Sequence, residues 1–394
     1  MWRVVYSAAM KLVIAPDSFK ESLTAVEVAA ALAEGLEQVL PDAEIVQVPM
    51  ADGGEGTLAA LAVTASVSRH EIQVRGPLGE PLTAQYGVLA DGHTAVIEIA
   101  QVCGLQLVPM SNRNPRMTSS FGVGELIGHC LDRGLRRLLI GLGGSATVDG
   151  GAGMLQALGV RFLDRHGNAL PPVITGGQLA DVAATDWSSF DPRLAEAQVE
   201  IACDVDNPLC GPQGAAAVFG PQKGARPPDV RALDEALAKL FELLEDQRGR
   251  RVSMTPGAGA AGGLGAALLL ACEATLRPGI DILVEASGLR DLIAGATAVV
   301  TGEGRVDAQT LRGKAPAGVA RLARACGVPV IAVGGSLESV QALHASGMFD
   351  AIEAAVCRPC SLAEALEQAQ SNLVNAGIRV GMWLNLAFLP DKPL

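Results

Sequence analysis

Aromatic and basic side chains are the scarcest parts of this sequence. Only 3% of its 394 residues are aromatic, and 30 basic residues stand against 42 acidic ones, which gives a formal net charge of -12. Proteins that bind nucleic acids need basic surfaces for the phosphates and often aromatic rings for the bases. The composition therefore argues against a nucleic-acid partner and against an anionic membrane surface.

Histidine is also sparse, and long uncharged apolar runs are missing. The five histidines show no metal-ligand spacing, and no G-x-S-x-G motif accompanies them, which argues against a zinc enzyme or a serine hydrolase. No uncharged stretch has the length of a membrane-spanning helix, and Lys11 interrupts the apolar start that a signal peptide would need. Eight cysteines scattered through a long chain indicate reduced thiols, so we predict a cytoplasmic protein that does not bind membranes.

Short apolar strands alternate with helices at both ends of the chain. A strand at residues 12–15 precedes a helix that begins at a capping box formed by Thr24 and Glu27 and that ends before Pro41. Near the C-terminus, strands are predicted at residues 298–300, 328–333 and 351–355, with helices that begin near Pro316, Leu337 and Leu362. Buried strands separated by helices indicate a parallel sheet covered on both faces.

The middle of the chain has a different pattern. Strands at residues 71–74, 85–89 and 95–99 are joined by turn-rich segments, which is typical of antiparallel hairpins. We therefore predict an α/β fold: a Rossmann-like parallel-sheet domain built from both chain ends (residues 10–70 together with 287–385), with an inserted mixed α+β domain (residues 71–286).

Glycine is abundant, with 46 residues, and it is concentrated in three segments that are candidates for phosphate binding. The candidate positions are Gly143, Gly144, Ser145, Thr147 and Asp149 after a strand, Gly257, Gly259 and Gly262 in a G-x-G-x-x-G match, and Gly302, Glu303, Gly304 and Arg305 at the end of another strand. Backbone amides exposed where a strand turns into a helix bind anions. Each segment alone is equally consistent with a tight packed turn, but the three together favour phosphate binding. The G-x-G-x-x-G match does not follow a strand, so its indication of a dinucleotide site is weak.

Carboxylates and cations recur just after strands. The carboxylates are Asp17, Asp52, Asp204 and Asp307, and the cations are Lys20, Lys223, Arg305 and Lys314. Open α/β sheets bind ligands at the carboxyl ends of their strands. Phosphoryl transfer to an alcohol needs an oxygen base, magnesium held by oxygen ligands, and cations around the moving phosphate. Cys357 and Cys360 have thioredoxin-like spacing but follow a late strand, so we predict no redox role for them.

A series of motifs occurs in order along the chain, at residues 15–20, 51–57, 143–154, 203–209, 219–225, 256–265 and 301–314. Together these motifs resemble the bacterial glycerate kinases of the type that phosphorylates the 2-hydroxyl. The resemblance extends from Met10 to about Leu384. One departure is Val148, which stands where the family commonly has asparagine.

The resemblance implies a two-domain α/β enzyme that transfers the γ-phosphoryl group of ATP to D-glycerate, with Mg²⁺, and forms 2-phosphoglycerate. ATP and D-glycerate are then its partners, and a homo-oligomer is left open. On the matching positions, Asp204 is our first choice for the general base, with Asn207 beside it to orient the substrate. Asp307 and Asp206 are alternative bases or magnesium ligands, and Lys20 and Arg305 are expected to hold a carboxylate or phosphate.

Two other functions remain open from the sequence. An NAD(P)-dependent hydroxyacid dehydrogenase would use the glycine match at residues 257–262. A non-catalytic two-lobed protein that binds hydroxyacids would bind glycerate without consuming ATP.

Overall fold

A computed structural model of the chain describes residues 10–51, 53–54, 56–65 and 67–387. The predicted site residue Asp52 lies outside the described residues. The strands are β1 Lys11–Ile14, β2 Glu44–Gln47, β3 Ser68–Arg75, β4 Pro81–Val88, β5 Thr94–Glu98, β6 Arg137–Gly141, β7 Arg161–Leu163, β8 Ala184–Asp186, β9 Gln198–Ala202, β10 Thr275–Arg277, β11 Ala298–Val306, β12 Val330–Leu337 and β13 Ala351–Ala354.

The α-helices are α1 Ala25–Val39, α2 Thr57–Thr64, α3 Ala100–Cys103, α4 Phe121–Asp132, α5 Ala152–Ala157, α6 Ala215–Phe219, α7 Pro227–Arg248, α8 Ala260–Ala271, α9 Gly279–Ala286, α10 Leu289–Ile293, α11 Ala315–Ala325, α12 Val340–Ser346, α13 Leu362–Glu367 and α14 Ala369–Ala387. Short 3-10 helices lie at Leu105–Leu107, Met110–Asn112, Gly176–Asp181, Pro192–Glu196, Pro221–Lys223 and Thr310–Arg312. No helix among the described residues is long and apolar enough to cross a bilayer.

The described residues form two compact units. Unit 1 contains residues 10–51, 59–65 and 280–387, and unit 2 contains residues 53–58, apart from 55, and 67–279. Whether the predicted segments 10–70 with 287–385, and 71–286, fold as separate domains stays a prediction.

Unit 1 contains a five-stranded parallel sheet in the order β13-β12-β11-β1-β2. Its central strands bury Leu12, Ile14, Val300 and Val333, as expected for strands covered on both faces. From β1 the chain moves one way to β2, while β11, β12 and β13 extend the other way. The order of the strands therefore reverses between β1 and β11, which is where open α/β sheets bind ligands. The predicted Rossmann-like α/β fold is confirmed.

The first helix of unit 1 begins as the sequence predicts. The Thr24 side chain accepts a hydrogen bond from the amide of Glu27, and the Glu27 carboxylate accepts one from the amide of Thr24. α1 packs on α14 through Gly35 and Gly377. A Cβ on Gly35 would lie 2.0 Å from a backbone oxygen of α14, so glycine is what allows the two helices to approach this closely.

Unit 2 is built on a six-stranded mixed sheet in the order β10-β9-β6-β5-β4-β3. β3, β4 and β5 pair antiparallel, as the hairpin pattern predicted, and β5, β6, β9 and β10 run parallel. β7 and β8 form a separate two-stranded antiparallel sheet. The core includes Tyr86, Phe162 and Phe241, all fully buried. The mixed α/β character predicted for this part of the chain is confirmed.

One local prediction is wrong. The strand expected at residues 298–300 continues as β11 to Val306, because it pairs with β12 along its whole length as far as Leu337. The segment from Gly302 to Arg305 is therefore strand and not a glycine loop. A Cβ on Gly302 would lie 2.1 Å from the backbone oxygen of Val333, so glycine serves close strand packing here.

Candidate functional site

Unit 1 contains a cavity of about 850 Å³ at the carboxyl ends of β1, β11, β12 and β13. The predicted site residues that line it are Asp17, Lys20, Glu303, Gly304, Arg305 and Lys314. They come from positions far apart in sequence and meet because the parallel strands end at one edge of the sheet. Gly302 is not among the residues that line the cavity.

A tight loop after β1 carries Lys20 to the cavity. Phe19 and Leu23 exchange backbone hydrogen bonds across it, and Glu21 adopts a left-handed backbone conformation with φ 66°. Such a conformation is strained for a residue with a Cβ and is found where surrounding structure enforces it. Lys20 is exposed and makes neither an ion pair nor a hydrogen bond with any described residue.

Glu303, which is buried, and Lys314, which is partly exposed, form an ion pair in the same cavity. Lys314 Nζ lies 2.6 Å from Glu303 Oε2, and the Thr310 hydroxyl donates to Glu303 Oε1 at 2.7 Å. Lys314 is also the N-cap residue of α11, directly before its first residue, Ala315. The arrangement places a cation at the cavity, which suits an anionic ligand.

Asp307 closes the turn that follows β11. Its Oδ1 accepts hydrogen bonds from the amides of Gln309 and Thr310, and its Oδ2 lies 3.1 Å from Arg305 Nε. Both carboxylate oxygens are therefore engaged in this structure. Its role as a base or magnesium ligand stays a prediction, and it requires the ion pair with Arg305 to open.

An apolar surface forms another side of the cavity, which sequence reasoning missed. This apolar wall consists of side chains from α13 and the start of α14, namely Leu362, Ala365, Leu366, Ala369 and Leu373. Arg358 and Asn372 lie beside it. Arg358 follows the carboxyl end of β13, just as Asp17 follows that of β1. Its position after a strand was therefore a signal for a site residue, but this segment was interpreted only through the spacing of Cys357 and Cys360.

Unit 2 holds a second group of predicted residues, around the glycine-rich loop after β6. The buried Lys223 donates from Nζ to Ser145 Oγ and to the backbone oxygen of Thr147, both at 2.8 Å. Burial lowers the pKa of Lys223 from 10.5 to about 8. The Thr147 hydroxyl is buried without a hydrogen-bond partner among the described residues. Lys223 therefore holds the loop at residues 143–147 in one conformation.

Asp149 anchors the other end of this loop. Its side chain is fully buried and accepts hydrogen bonds from the amide and hydroxyl of Ser120 at 2.7 Å, and from the amides of Gly151 and Gly153. Burial raises the pKa of Asp149, and these hydrogen bonds oppose the rise. In this structure Asp149 positions the loop, and Ser120, which sequence reasoning missed, is its main partner.

The glycine-rich segment at residues 256–265 packs against the loop at residues 143–147. Gly262 has a φ of 71°, and a Cβ on it would lie 1.9 Å from the backbone oxygen of Thr147. A Cβ on Gly259 would lie 2.3 Å from the oxygen of Pro208, and Gly257 is also buried. The segment therefore has a packing role in this structure, and the loop at residues 143–147 is the stronger candidate for a phosphate site.

Asp204, Asp206 and Asn207 follow β9, as predicted, and both aspartates are exposed. Asp204 Oδ1 accepts a hydrogen bond from the amide of Gly279 at 3.0 Å. Asn207 donates from Nδ2 to the backbone oxygen of Gln213 at 2.8 Å, which fixes the loop around it. The two aspartates are accessible to a substrate, whereas the Asn207 amide nitrogen already has a partner.

Comparison with known proteins places the chain in a family. The model of the glycerate kinase family matches residues 12–385. A glycerate kinase from Bacillus subtilis is 47% identical over 379 residues, which cover 96% of this chain and 98% of the relative. A glycerate 2-kinase from Escherichia coli K12 is 46% identical over 377 residues, which cover 95% of this chain and 98% of the relative.

A solved structure agrees with these relatives. The crystal structure assigned as glycerate kinase 2 from Salmonella typhimurium LT2 matches with a TM-score of 0.84 at 44% sequence identity. The match covers 96% of this chain and 99% of that one. With the same fold, nearly full-length coverage and this level of identity, the chain belongs to the glycerate kinase family.

Proposed function

We propose that this chain transfers the γ-phosphoryl group of ATP to the 2-hydroxyl of D-glycerate, giving ADP and 2-phosphoglycerate. The observation that carries the proposal is the family match over residues 12–385, supported by 46% identity to a relative named glycerate 2-kinase. The cavity in unit 1 agrees with it, since it joins cations and carboxylates at the ligand-binding edge of a parallel sheet. The dehydrogenase and the binding protein gain no support from the family.

The cations of the unit 1 cavity are proposed to hold the phosphates of ATP. Lys20 is exposed and unpaired among the described residues, and Lys314 stands at the start of α11. Arg305 can grip a phosphate with two parallel hydrogen bonds once it leaves Asp307. These side chains orient the γ-phosphoryl group and stabilise the charge that moves during transfer.

Magnesium fits the donors that are present. No group of three or more metal-ligating side chains occurs among the described residues, but Mg²⁺ in kinases commonly takes one or two carboxylates together with the phosphates. When bound, it neutralises charge on the β- and γ-phosphates. The Asp206 carboxylate is exposed and so is open to a ligand, whereas Oδ2 of Asp307 is paired with Arg305.

In unit 2, the loop at residues 143–147 is proposed to bind an anionic group of a substrate through the amides of Gly143 and Gly144 and the side chains of Ser145 and Thr147. The support is its position between a strand and a helix and its fixation by the buried Lys223.

Asp204 is the proposed general base for the hydroxyl proton. It is exposed after β9, and its hydrogen bond with the amide of Gly279 fixes the carboxylate. Replacing it by asparagine should reduce kcat about 10² to 10⁴-fold, because the hydroxyl then loses its proton acceptor. Steady-state kinetics with thermal melts measures this. Asp181→Asn, an exposed aspartate elsewhere in unit 2 with no partner among the described residues, is the control and should keep normal activity.

Retention of more than about a tenth of the turnover in Asp204→Asn would contradict its role as base. Magnesium titration then separates the alternatives. Recovery of Asp206→Asn or Asp307→Asn at high magnesium identifies that residue as a metal ligand. The cytoplasmic location and a homo-oligomer stay predictions.

A further inference from the structure

We infer that the unit 1 cavity is the nucleotide site, with the base of ATP on the apolar wall and the phosphates at the ends of β1 and β11. The inference rests on the proposed function, which already places the phosphates of ATP in this cavity, and adds where the base lies. It also assigns a role to the apolar wall, whose residues were not among the predicted site residues.

The size of the cavity favours the larger substrate. Its volume of about 850 Å³ lies near the upper end of the usual 300 to 1,000 Å³ for small-molecule sites. Glycerate has three carbons, each bearing oxygen, so it fills little of this space and offers no apolar surface. A purine ring has two flat faces that pack well on accessible aliphatic side chains such as Leu362 and Leu366.

The distances across the sheet fit a nucleotide laid over the ends of its strands. β13, next to the apolar wall, is separated from β11 by one strand and from β1 by two. With neighbouring strands about 4.8 Å apart, β13 lies roughly 10 Å from β11 and 14 Å from β1. That span is comparable to the distance from the base to the terminal phosphate of an extended nucleoside triphosphate.

The positively charged side chains lie at the end of the cavity proposed for the phosphates. Lys20 lies in the loop after β1, Arg305 on β11 and Lys314 at the start of α11, whereas α13 and α14 contribute mostly apolar side chains to the cavity. Arg358, at the apolar end, is already held by Glu364 on α13 and by Gln368 directly after that helix. Asn372 and Ser361 are the polar side chains near the wall that can bond the edge of the base.

A cysteine in the cavity allows a binding test that needs no turnover. Cys360 lines the cavity, and Cys326, equally half-buried in unit 1, does not. ADP or Mg-ATP should slow maleimide labelling of Cys360 at least fivefold and leave Cys326 unchanged, as measured by peptide mass spectrometry. D-glycerate alone and NAD⁺ should protect neither thiol. Protection of Cys360 by glycerate alone or by NAD⁺, or its absence with both ADP and Mg-ATP, would overturn the inference.

A charge placed on the apolar wall gives the kinetic test. Leu366→Asp should raise the KM for ATP at least tenfold, because the carboxylate replaces an apolar contact with the base, and should leave the KM for glycerate within twofold. Ala363→Asp adds the same charge to an exposed position of α13 outside the cavity, so it should leave both constants unchanged. A Leu366→Asp variant that alters only the KM for glycerate would contradict the assignment. If this variant does not fold, the labelling of the unmodified chain decides alone.

The two proposals fail separately. Protection of Cys360 by ADP without glycerate-dependent turnover would leave the nucleotide site in place and reject the kinase activity. Glycerate-dependent turnover without protection would keep the activity and reject this cavity as the nucleotide site.

Discussion

Gly262 shows how a single residue links packing to the proposed site. The position combines a left-handed backbone with direct contact against the backbone of Thr147, so a side chain is excluded for two independent reasons. The sequence marked Gly262 as part of a phosphate loop, because a glycine motif alone cannot distinguish an amide that meets a ligand from one that meets another strand or loop. Only the tertiary neighbour decides between the two.

Gly262→Ala should therefore destabilise the protein by several kcal/mol, roughly 1–2 from the left-handed conformation and the rest from the clash with Thr147. Gly249→Ala provides a matched control, since Gly249 has a φ of 64° but open space around its Cβ. It should cost only the conformational part. Urea denaturation of both variants measures the free energy of unfolding. Equal losses for the two would show that the close contact of residue 262 with the Thr147 backbone does not affect stability.

Lys223 makes the stability of the molecule depend on pH in a specific direction. Its pKa is about 8 when folded, below its ordinary 10.5, because burial disfavours the charged form. Below about pH 8 the lysine is charged in both states, so the full cost of burying the charge is present. Between about pH 8 and 10.5 the unfolded chain binds a proton that the folded chain does not, so this cost is progressively removed as the pH rises.

The free energy of unfolding of the unmodified chain, minus that of Lys223→Met, should therefore increase by roughly 1–3 kcal/mol from pH 7 to pH 10. Taking the difference cancels the titration of groups that both chains share. Denaturant titrations across this range make the measurement. A difference that stays flat, or that falls with rising pH, would show that Lys223 keeps an ordinary or raised pKa.

At the scale of elements, local signals were the reliable ones. The capping box at Thr24 and the hairpin pattern of β3 to β5 follow from neighbours in sequence, and both are confirmed. The length of β11 depends on its pairing with β12, which begins 24 residues after β11 ends, so the glycines at 302 and 304 were mistaken for a loop. The apolar wall was missed because its side chains meet the cavity only through the packing of α13 and α14 at the sheet edge.

Thr24→Ala tests whether the capping box stabilises α1 as its geometry indicates. Loss of the side-chain acceptor leaves the Glu27 amide without its partner, so the variant should lose about 1 kcal/mol of stability. Glu34→Ala, at an exposed position within the same helix, should change the free energy of unfolding by less than about 0.5 kcal/mol. Two variants of equal stability in chemical denaturation would mean that tertiary packing alone sets the start of α1.

At the scale of the whole molecule, the sequence was enough to predict the α/β class, the parallel sheet built from both chain ends and the family. These follow from periodicity and from motifs spread over most of the chain. The candidate site was predicted in part. The expectation that ligands bind at the carboxyl ends of strands selected residues that do line one cavity, namely Asp17, Lys20, Arg305 and Lys314. The glycine-rich segments also selected Asp149, Gly259 and Gly262, which hold loops in place in this structure.

The most direct test of the proposed function is the identity of the product. Purified chain incubated with Mg-ATP and D-glycerate should form ADP and 2-phosphoglycerate, with turnover on the order of 1 to 100 per second. Phosphorus NMR of the reaction mixture distinguishes a phosphate on the 2-hydroxyl from one on the 3-hydroxyl, and a reaction without glycerate gives the background of ATP hydrolysis. Glycerate-dependent appearance of 2-phosphoglycerate is the predicted result, whereas 3-phosphoglycerate as the sole product, or no ADP above that background, would contradict it.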